Sequence, residues 1–410
     1  MKSIKLLTCC LLLFMLAACR KDEFMPEVEG EKIPHEELTV TMKDLLAASP
    51  YTLFKAAWQR SDMEQMIKEK GGKFPYTLLV PTDAAFIADG LTLDVINSTA
   101  PALLDSILLY HTLEGNIIAD DLKKSEERYI GKTLLKNPNL TVKDHLNPGG
   151  GVMYTYLQYL KVTDGELFIN GKRAGKTPPV QANDGLFQPI DQVLHKPTKT
   201  ILEVLREDGR FGMYLEMNER ADALYAELTE YSFPHDFTQG LTLIASSNYN
   251  IIFSSIFAIP DEAFRQAGFN TVDDILALND RNPLPYLDWD TYTVVGGLAT
   301  DSLVAYHRWG TLFSPVDPSS GAGITAPSNF YSNDLNNTLL SDYIIVSAGT
   351  TGSISPYINP LDFSKEGGKI KVKVKGSDYP AASIVESDIN TLMGPVHVVD
   401  HLLLPKGFKL

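Results

Sequence analysis

Apolar residues follow a helical spacing in one region of the chain and an alternating spacing in the next. Leu53, Phe54 and Ala57 recur at the interval of a helix, and Ala102–Tyr110 forms a second amphipathic stretch. Most later apolar segments predict strands, with Asn170-Gly171 as a tight hairpin turn. The predicted strands of this region are 76–80, 153–162, 167–169 and 187–194.

The same order of elements begins again in the second half. Ile201 and Leu205 belong to another helical pattern, and Ile251–Ile259 predicts a strand. Lys369–Lys375 alternates strictly, so its apolar residues share one face of a strand and its lysines the other. A last strand is predicted at 396–404. Helices followed by strands, twice over, predict an α+β fold.

One composite pattern occurs in both halves. Each copy has an aspartate followed three residues later by a phenylalanine, then a Tyr-His pair, then a glycine followed six residues later by an aspartate. Such a repeat predicts two related domains, which we place at 39–197 and 198–410. The repeated residues are Asp83, Phe86, Tyr110, His111, Gly185 and Asp191 in the first copy, and Asp261, Phe264, Tyr306, His307, Gly394 and Asp400 in the second.

The second copy is longer than the first between the same landmarks. The extra residues lie near 270–298, which contains the segment PLPYLDWDTY, and near 313–340, which is rich in Pro, Ser, Gly and Asn. Inserted loops are frequent carriers of binding function. We therefore expect specificity to lie where the two copies differ.

The first residues of the chain have the pattern of an export signal. Lys2 and Lys5 precede a short apolar run, and the small pair Ala17-Ala18 precedes Cys19. The segment Leu-Ala-Ala-Cys resembles a bacterial lipobox, in which the cysteine is lipidated and becomes the first residue. An ordinary cleaved signal is the alternative. We assign 1–18 to a lipoprotein signal peptide and 19–38 to a flexible acidic tether.

The charge of the chain excludes some partners. Removing 1–18 removes two lysines and no acids, so the formal net charge of −15 becomes −17. A chain this acidic is repelled by phosphate backbones, which argues against nucleic-acid binding. It is also repelled by anionic bilayers, which argues against membrane adhesion through basic patches. Membrane attachment must therefore come from the lipid anchor.

Three segments in each copy resemble the landmarks of the fasciclin domain. They are TLLVPTDAAF, ILLYH and GLFQPIDQVLHKP in the first copy, and IFAIPDEAF, LVAYH and GPVHVVDHLLLP in the second. The resemblance implies two tandem domains, each a helical part packed on a β-sandwich-like wedge. It also implies extracellular adhesion to proteins or glycans rather than catalysis.

The Tyr-His segments have two interpretations. In animal relatives this segment and its flanking aliphatic residues are linked to integrin contact, so the resemblance implies partner contact at Leu109, Tyr110, His111, Tyr306 and His307. The chain has no Arg-Gly-Asp triplet, so only generic adhesion carries over. A catalytic role would need a constellation of groups, and a histidine at a helix end also bonds local carbonyls. We favour this structural role.

Other polar residues receive structural interpretations. His397 and His401 lie four apart in a predicted strand, where their side chains would be about 13 Å apart, too far to share a metal ion. We therefore predict no metal site and no cofactor. Asp191 and Asp400 lie within predicted apolar strands, where a buried carboxylate needs a backbone or basic partner.

Aromatic residues of the second copy are candidates for glycan contact. Tyr286, Trp289 and Trp309 could stack on a sugar face if they are exposed and coplanar. The alternative is that they pin the insertion onto the core.

Our first functional hypothesis is a non-enzymatic, lipid-anchored adhesion or interaction protein. We place it in the outer membrane of a Gram-negative bacterium, facing outward, because the acidic run after Cys19 resembles a surface-export signal. The second hypothesis is a glycan-binding accessory of an outer-membrane polysaccharide uptake system. A hydrolase is the third, but no pair of carboxylates stands out.

We predict that Cys19 carries the lipid. Cells given labelled palmitate should label the wild-type protein, and Cys19→Ala should lose the label because the acceptor thiol is gone. Cys9→Ala removes a cysteine from within the apolar run and should leave labelling unchanged. Labelling that persists in Cys19→Ala would show that the lipobox interpretation is wrong.

Overall fold

The structure, a computed structural model, describes most of the chain after the predicted tether. The signal segment, Cys19 and nearly all of the tether lie outside the described residues. Val40–Leu410 form one compact unit. The described residues are 38–69, 75–117, 122, 128–143, 151–232, 238, 241–242, 249–251, 253–309, 329–348 and 354–410.

The first copy begins with helices and continues with strands. Its helices are α1 Met42–Ala48, α2 Thr52–Arg60, α3 Met63–Glu69, α4 Asp83–Ala88, α5 Leu93–Ser98 and α6 Pro101–Tyr110. Its strands are β1 Tyr76–Pro81, β2 Thr112–Glu114, β3 Tyr129–Lys143, β4 Gly151–Thr163, β5 Glu166–Ile169, β6 Lys172–Gly175, β7 Val180–Ala182 and β8 Gly185–Ile190.

The second copy repeats this order with additional elements. Its α-helices are α7 Ile201–Asp208, α8 Gly212–Leu228, α9 Asp261–Gln266, α10 Val272–Leu276, α11 Ala299–Val304 and α12 Asn337–Leu340, with 3-10 turns at Ala277–Arg281 and Ser332–Asp334. Its strands are β9 Tyr249–Ile251, β10 Ser255–Ala258, β11 Tyr286–Asp288, β12 Thr293–Val295, β13 Arg308–Trp309, β14 Ile344–Ala348, β15 Ile354–Ile358, β16 Leu361–Glu366, β17 Lys369–Val374, β18 Ala382–Asn390 and β19 Pro395–Val399.

The two largest sheets have related topologies. The strand order of the first is β6-β5-β4-β3-β2-β1-β8-β7, and β9 pairs with β3 at its side. The order of the second is β13-β10-β19-β18-β17-β16. In each sheet an early strand pairs in parallel with the last strand of its copy, β1 with β8 and β10 with β19. The predicted α+β fold is confirmed.

Local sequence explains where several elements begin and turn. Thr41 caps α1 and forms a reciprocal capping box with Asp44, a pairing that the Thr-x-x-Asp spacing favours. Thr82 caps α4 by accepting the N–H of Ala85. The turn between β5 and β6 has positive φ at both Asn170 and Gly171, which matches the hairpin prediction.

The repeated aspartate near the start of each pattern holds an earlier helix. Asp83 begins α4, and its carboxylate accepts the N–H of Leu53 in α2 at 2.9 Å. Asp261 begins α9, and its carboxylate accepts the N–H of Met213 in α8 at 2.8 Å. The repeated phenylalanine three residues later is fully buried in both copies.

The repeated glycine permits a close approach between the parallel strands. Gly185 has φ +159, and a Cβ built there would lie 2.1 Å from the carbonyl oxygen of Tyr76. Gly394 has φ +143, and its Cβ would lie 2.2 Å from the carbonyl oxygen of Ser254. A side chain at either position would push the paired strands apart, so glycine is a steric requirement of the fold.

Ile251–Ile259 does not form the single strand that its apolar run predicts. Its first part lies in β9, which pairs with β3 of the first copy, whereas β10 pairs with β19 of the second. The last strand of each copy is also shorter than predicted, ending at Ile190 and Val399. The N–H groups of Leu194 and Leu403 donate to histidine side chains instead of to a neighbouring strand.

Asp191 and Asp400 are not buried in strands, which corrects the sequence prediction. Each lies just past the last strand of its copy, with a partly exposed side chain. The backbone N–H of each still ties this end to another strand, to the carbonyls of Ala174 and Ser383 respectively. Asp400 also accepts the N–H of Ser383 at 2.6 Å, so the predicted backbone partner is present.

The described part of the second insertion folds into the junction between the copies. Phe330 and Tyr331 are buried, and the Tyr331 ring lies 5.1 Å from the ring of Tyr159 in the first copy. Asn329 donates to the Tyr159 hydroxyl at 3.1 Å. This part of the insertion therefore connects the copies and is not a free binding loop.

One hydrophobic core extends across both copies. It joins residues from β4 of the first copy to residues from β10 and β19 of the second. Tyr154 of β4 also stacks on Phe253, with ring centroids 6.1 Å apart, and donates to the carbonyl of Leu392 at 2.9 Å. The boundary between 197 and 198 stays a prediction.

Candidate partner-binding surface

The first Tyr-His segment is a structural connection inside the fold. His111 follows α6 directly and is fully buried. Its Nδ1 lies 2.8 Å from the carbonyl oxygen of Ile107, and its Nε2 accepts the N–H of Leu194 at 2.9 Å. Its own carbonyl accepts the N–H of Leu79 in β1 at 2.9 Å. One residue thus joins α6, β1 and the segment after β8.

The second Tyr-His segment makes a related set of contacts, in which a strand carbonyl replaces the helix carbonyl as the partner of Nδ1. The Nδ1 of His307 lies 2.8 Å from the carbonyl oxygen of Phe257 in β10, and its Nε2 accepts the N–H of Leu403 at 2.7 Å. Its carbonyl accepts the N–H of Phe257 at 2.7 Å. We call His111 and His307, with these contacts, the histidine locks.

Burial keeps both histidine locks neutral at ordinary pH. Desolvation lowers the pKa of His111 to about 4, although its bond to the Ile107 carbonyl acts in the opposite direction. Desolvation lowers the pKa of His307 to about 4 as well, against its bond to Phe257. A neutral imidazole with Nδ1–H donating and Nε2 accepting satisfies all these contacts.

The Tyr-His segments offer little surface to a partner. Tyr110, His111 and His307 are buried, whereas Leu109 and Tyr306 are half-buried and pack against the core. Burial also raises the pKa of Tyr110. Partner contact at these five residues stays a prediction that depends on the resemblance, and their contacts here support the structural role.

A cleft of about 670 Å³ lies between the copies, beside the segment that follows β8. At its wall His195 Nε2 lies 2.6 Å from Asp89 Oδ1, which links this segment to the C-terminal end of α4. The His195 side chain is largely solvent-exposed. We treat this contact as a surface hydrogen bond that fixes the segment after β8.

Within the described residues no group of His, Cys, Asp or Glu could hold a metal ion. His397 is buried in β19 and lies 2.9 Å from the Phe330 carbonyl oxygen, whereas His401 lies beyond the strand and contacts Asp400. Among the helices of the described part, none has the length and apolar character needed to span a bilayer.

The first insertion presents an exposed aromatic hairpin. In β11 and β12, Tyr286 pairs with Val295 across the strands. Leu287 is buried and anchors the hairpin, while Tyr286, Trp289 and Tyr292 are 56%, 59% and 55% exposed. The interpretation that aromatics pin the insertion onto the core is therefore wrong for Tyr286 and Trp289. We call residues 286–295 the aromatic hairpin.

The tip of the aromatic hairpin is held in place by specific contacts. Asp288 accepts the N–H of Asp290 at 2.9 Å, which closes the turn. The indole N–H of Trp289 donates to Glu230 at 3.3 Å. The rings of Trp289 and Tyr292 are 6.0 Å apart and inclined by 49°. The two rings therefore form an open angle and not one flat platform.

Sequence reasoning identified only part of this surface. Tyr292 lies in the same Asp-Trp-Asp-Thr-Tyr segment as Trp289, so the local concentration of aromatics could have indicated it. Glu230 follows α8, and only tertiary contact places it beside Trp289. Trp309 belongs to β13, which pairs with Ser255, and its side chain lies outside the described residues.

Two features define the fold class of the first copy. A buried Tyr-His segment connects its helices to the sheet, and its first and last strands pair in parallel. A model of the fasciclin domain family matches residues 49–196, and this segment belongs to that family. A solved fasciclin domain pair from the insect cell adhesion molecule fasciclin I is 13% identical, covering 88% of this chain and 98% of that one with a TM-score of 0.31. The repeated contacts lead us to interpret 198–410 as a second fasciclin-like domain.

We predict that the histidine locks make stability depend on pH. In the unfolded chain His111 and His307 take up protons near pH 6.5, whereas in the folded chain they do so near pH 4. Between these pH values the unfolded state binds more protons, so the free energy of unfolding falls as the pH decreases. The expected loss is about 3 kcal/mol per histidine. Urea unfolding of the full chain at several pH values measures it.

His307→Leu should destabilise the fold and also reduce the dependence of stability on pH between 6.5 and 4. Thr112→Val is the matched control, because it removes a buried bond to the Leu108 carbonyl without removing a titrating group. It should lower stability and keep the pH dependence. An unchanged pH dependence in His307→Leu would contradict the assignment of a neutral buried imidazole.

Proposed function

We propose that the protein is a lipid-anchored cell-surface adhesion or interaction protein that contacts its partner through the aromatic hairpin. The fasciclin domain at 49–196 supports an adhesion-type role without catalysis. The signal pattern that ends in Cys19 supports export and lipid attachment, and we expect the outer face of a Gram-negative outer membrane.

The observation that carries this proposal is the exposure of three large aromatic side chains on one short hairpin. Exposed aromatics of this size usually mark an interaction site because leaving them in water is unfavourable. The hairpin lies in the insertion that only the second copy has, so the repeated fold does not require it. Its contacts with Glu230 and Asp288 hold the rings in position before a partner arrives.

A glycan-binding accessory of a polysaccharide uptake system is the second candidate. Exposure of Tyr286 and Trp289 favours it, because sugars stack on exposed aromatic faces. The inclination of 49° between Trp289 and Tyr292 disfavours it, because the two rings cannot both lie flat against one extended sugar chain.

We predict that Trp289→Ala reduces adhesion of cells that display the full chain to panels of immobilised extracellular proteins and glycans. A tryptophan at the centre of a contact contributes enough for a loss of about tenfold or more. Thermal stability should change little, because the side chain is mostly outside the core.

Tyr129→Ala is the matched control, since it removes an exposed aromatic ring from the first copy. Adhesion of this variant should equal that of the wild type. Equal adhesion of Trp289→Ala and wild type at equal surface display would show that the aromatic hairpin is not the contact surface.

A further inference from the structure

We infer that the aromatic hairpin binds cationic side chains, and that its partner is a lysine- or arginine-rich segment of another protein. This inference depends on the proposed function and names the chemistry of the partner. It rests on the charge around the hairpin, on the exposure of its rings and on the apolar strip beside them.

The surroundings of the hairpin are acidic and lack competing basic side chains nearby in sequence. No lysine or arginine occurs between Arg281 and Arg308, or between Arg220 and Arg265 around Glu230. Arg281 itself donates to the carbonyl of Lys409 at 2.8 Å. A cation that approaches the rings therefore meets carboxylates without competition from these stretches of the chain.

Three carboxylates lie at the tip of the hairpin. Glu230 accepts the indole N–H of Trp289, and Asp290 is exposed next to the same ring. Hydrogen bonds from the backbone N–H groups of Asp290 and Thr291 hold the pKa of Asp288 below its usual range, so this carboxylate stays charged. Negative charge is thus concentrated beside the exposed ring faces.

The ring geometry suits a compact cation. An ammonium or guanidinium group binds over an aromatic face within about 6 Å of the ring centre, and tryptophan is the strongest such partner. Trp289 is 59% exposed, so a cation can bind over its face, and the Tyr292 ring lies 6.0 Å away at an inclination of 49°. A flat sugar can stack on one of these rings at a time.

The backbone around this surface is held in unfavourable conformations. Two of the six non-glycine residues with positive φ in the described part of the chain belong to this surface, namely Glu230, which contacts Trp289, and Tyr292 of the hairpin. Such conformations cost energy and persist where a site needs fixed side chains.

An apolar strip beside the tip of the hairpin favours a polypeptide partner rather than a free cation. Leu284, Tyr286 and Val295 are all more than two-fifths exposed, and Tyr286 and Val295 are opposite one another in the hairpin. A peptide can place a basic side chain over the Trp289 ring and an apolar one on this strip. A small cation would leave the strip uncovered.

A fluorescent octalysine peptide tests the inference by anisotropy, titrated with the full chain in neutral detergent. Trp289→Ala keeps the net charge of the protein, so non-specific attraction to an acidic surface is unaffected. The expected result is about tenfold weaker binding of octalysine to Trp289→Ala. Tyr129→Ala, equally uncharged, should bind like the wild type, and Asp290→Asn should bind more weakly.

Equal affinity of wild type and Trp289→Ala for octalysine would overturn the inference. If the adhesion of displaying cells still fell in Trp289→Ala, the proposed function would stand and only the cationic partner would be wrong. Binding to neutral glycans that depends on Trp289 and resists salt would favour the uptake accessory. If neither octalysine binding nor adhesion responded to Trp289→Ala, both proposals would fail.

Discussion

The architecture depends on a buried charge cluster at the junction of the two copies. Asp334 of the second insertion is almost fully buried and faces Arg128 and Lys161 of the first copy at 3.9 and 3.5 Å. The Arg128 guanidinium also lies 3.9 Å above the ring of Phe330. Burial raises the pKa of Asp334 despite the two cations. Separating the copies would remove the contacts between the buried Asp334 carboxylate and these two cations, which is unfavourable for a buried charge.

The two insertions of the second copy differ in their structural roles. The described part of the second is used to join the copies. The first packs Val272, Ile275 and Leu278 into the core and exposes the aromatic rings of its hairpin. The repeated residues act inside each copy: His111 and His307 connect a helix end to the sheet and to the last segment. Residues that both copies share thus build the fold of each copy, and the described part of the second insertion joins the two copies.

Sequence predicted the features that depend on neighbouring residues. The capping box at Thr41 and the turn at Asn170-Gly171 follow from local chemistry, and both are present. The residues of Ile251–Ile259 are divided between two sheets. This division depends on pairing with distant strands, which an apolar run in the sequence does not reveal. The composition of the two insertions also gave wrong expectations about which of their residues are buried. The polar second insertion contains the buried Phe330. The aromatic rings of the first insertion are exposed, although Leu287 in the same hairpin is buried.

We expect the two copies to unfold as one cooperative unit. Calorimetry of the full chain with Asp334→Ala measures this most directly, with the surface variant Glu64→Ala as control. We predict a single transition in both variants, and a loss of about 3 kcal/mol in Asp334→Ala, because this variant lacks the buried contacts of the Asp334 carboxylate with Arg128 and Lys161. Two separate transitions, with only one shifted by Asp334→Ala, would contradict the account.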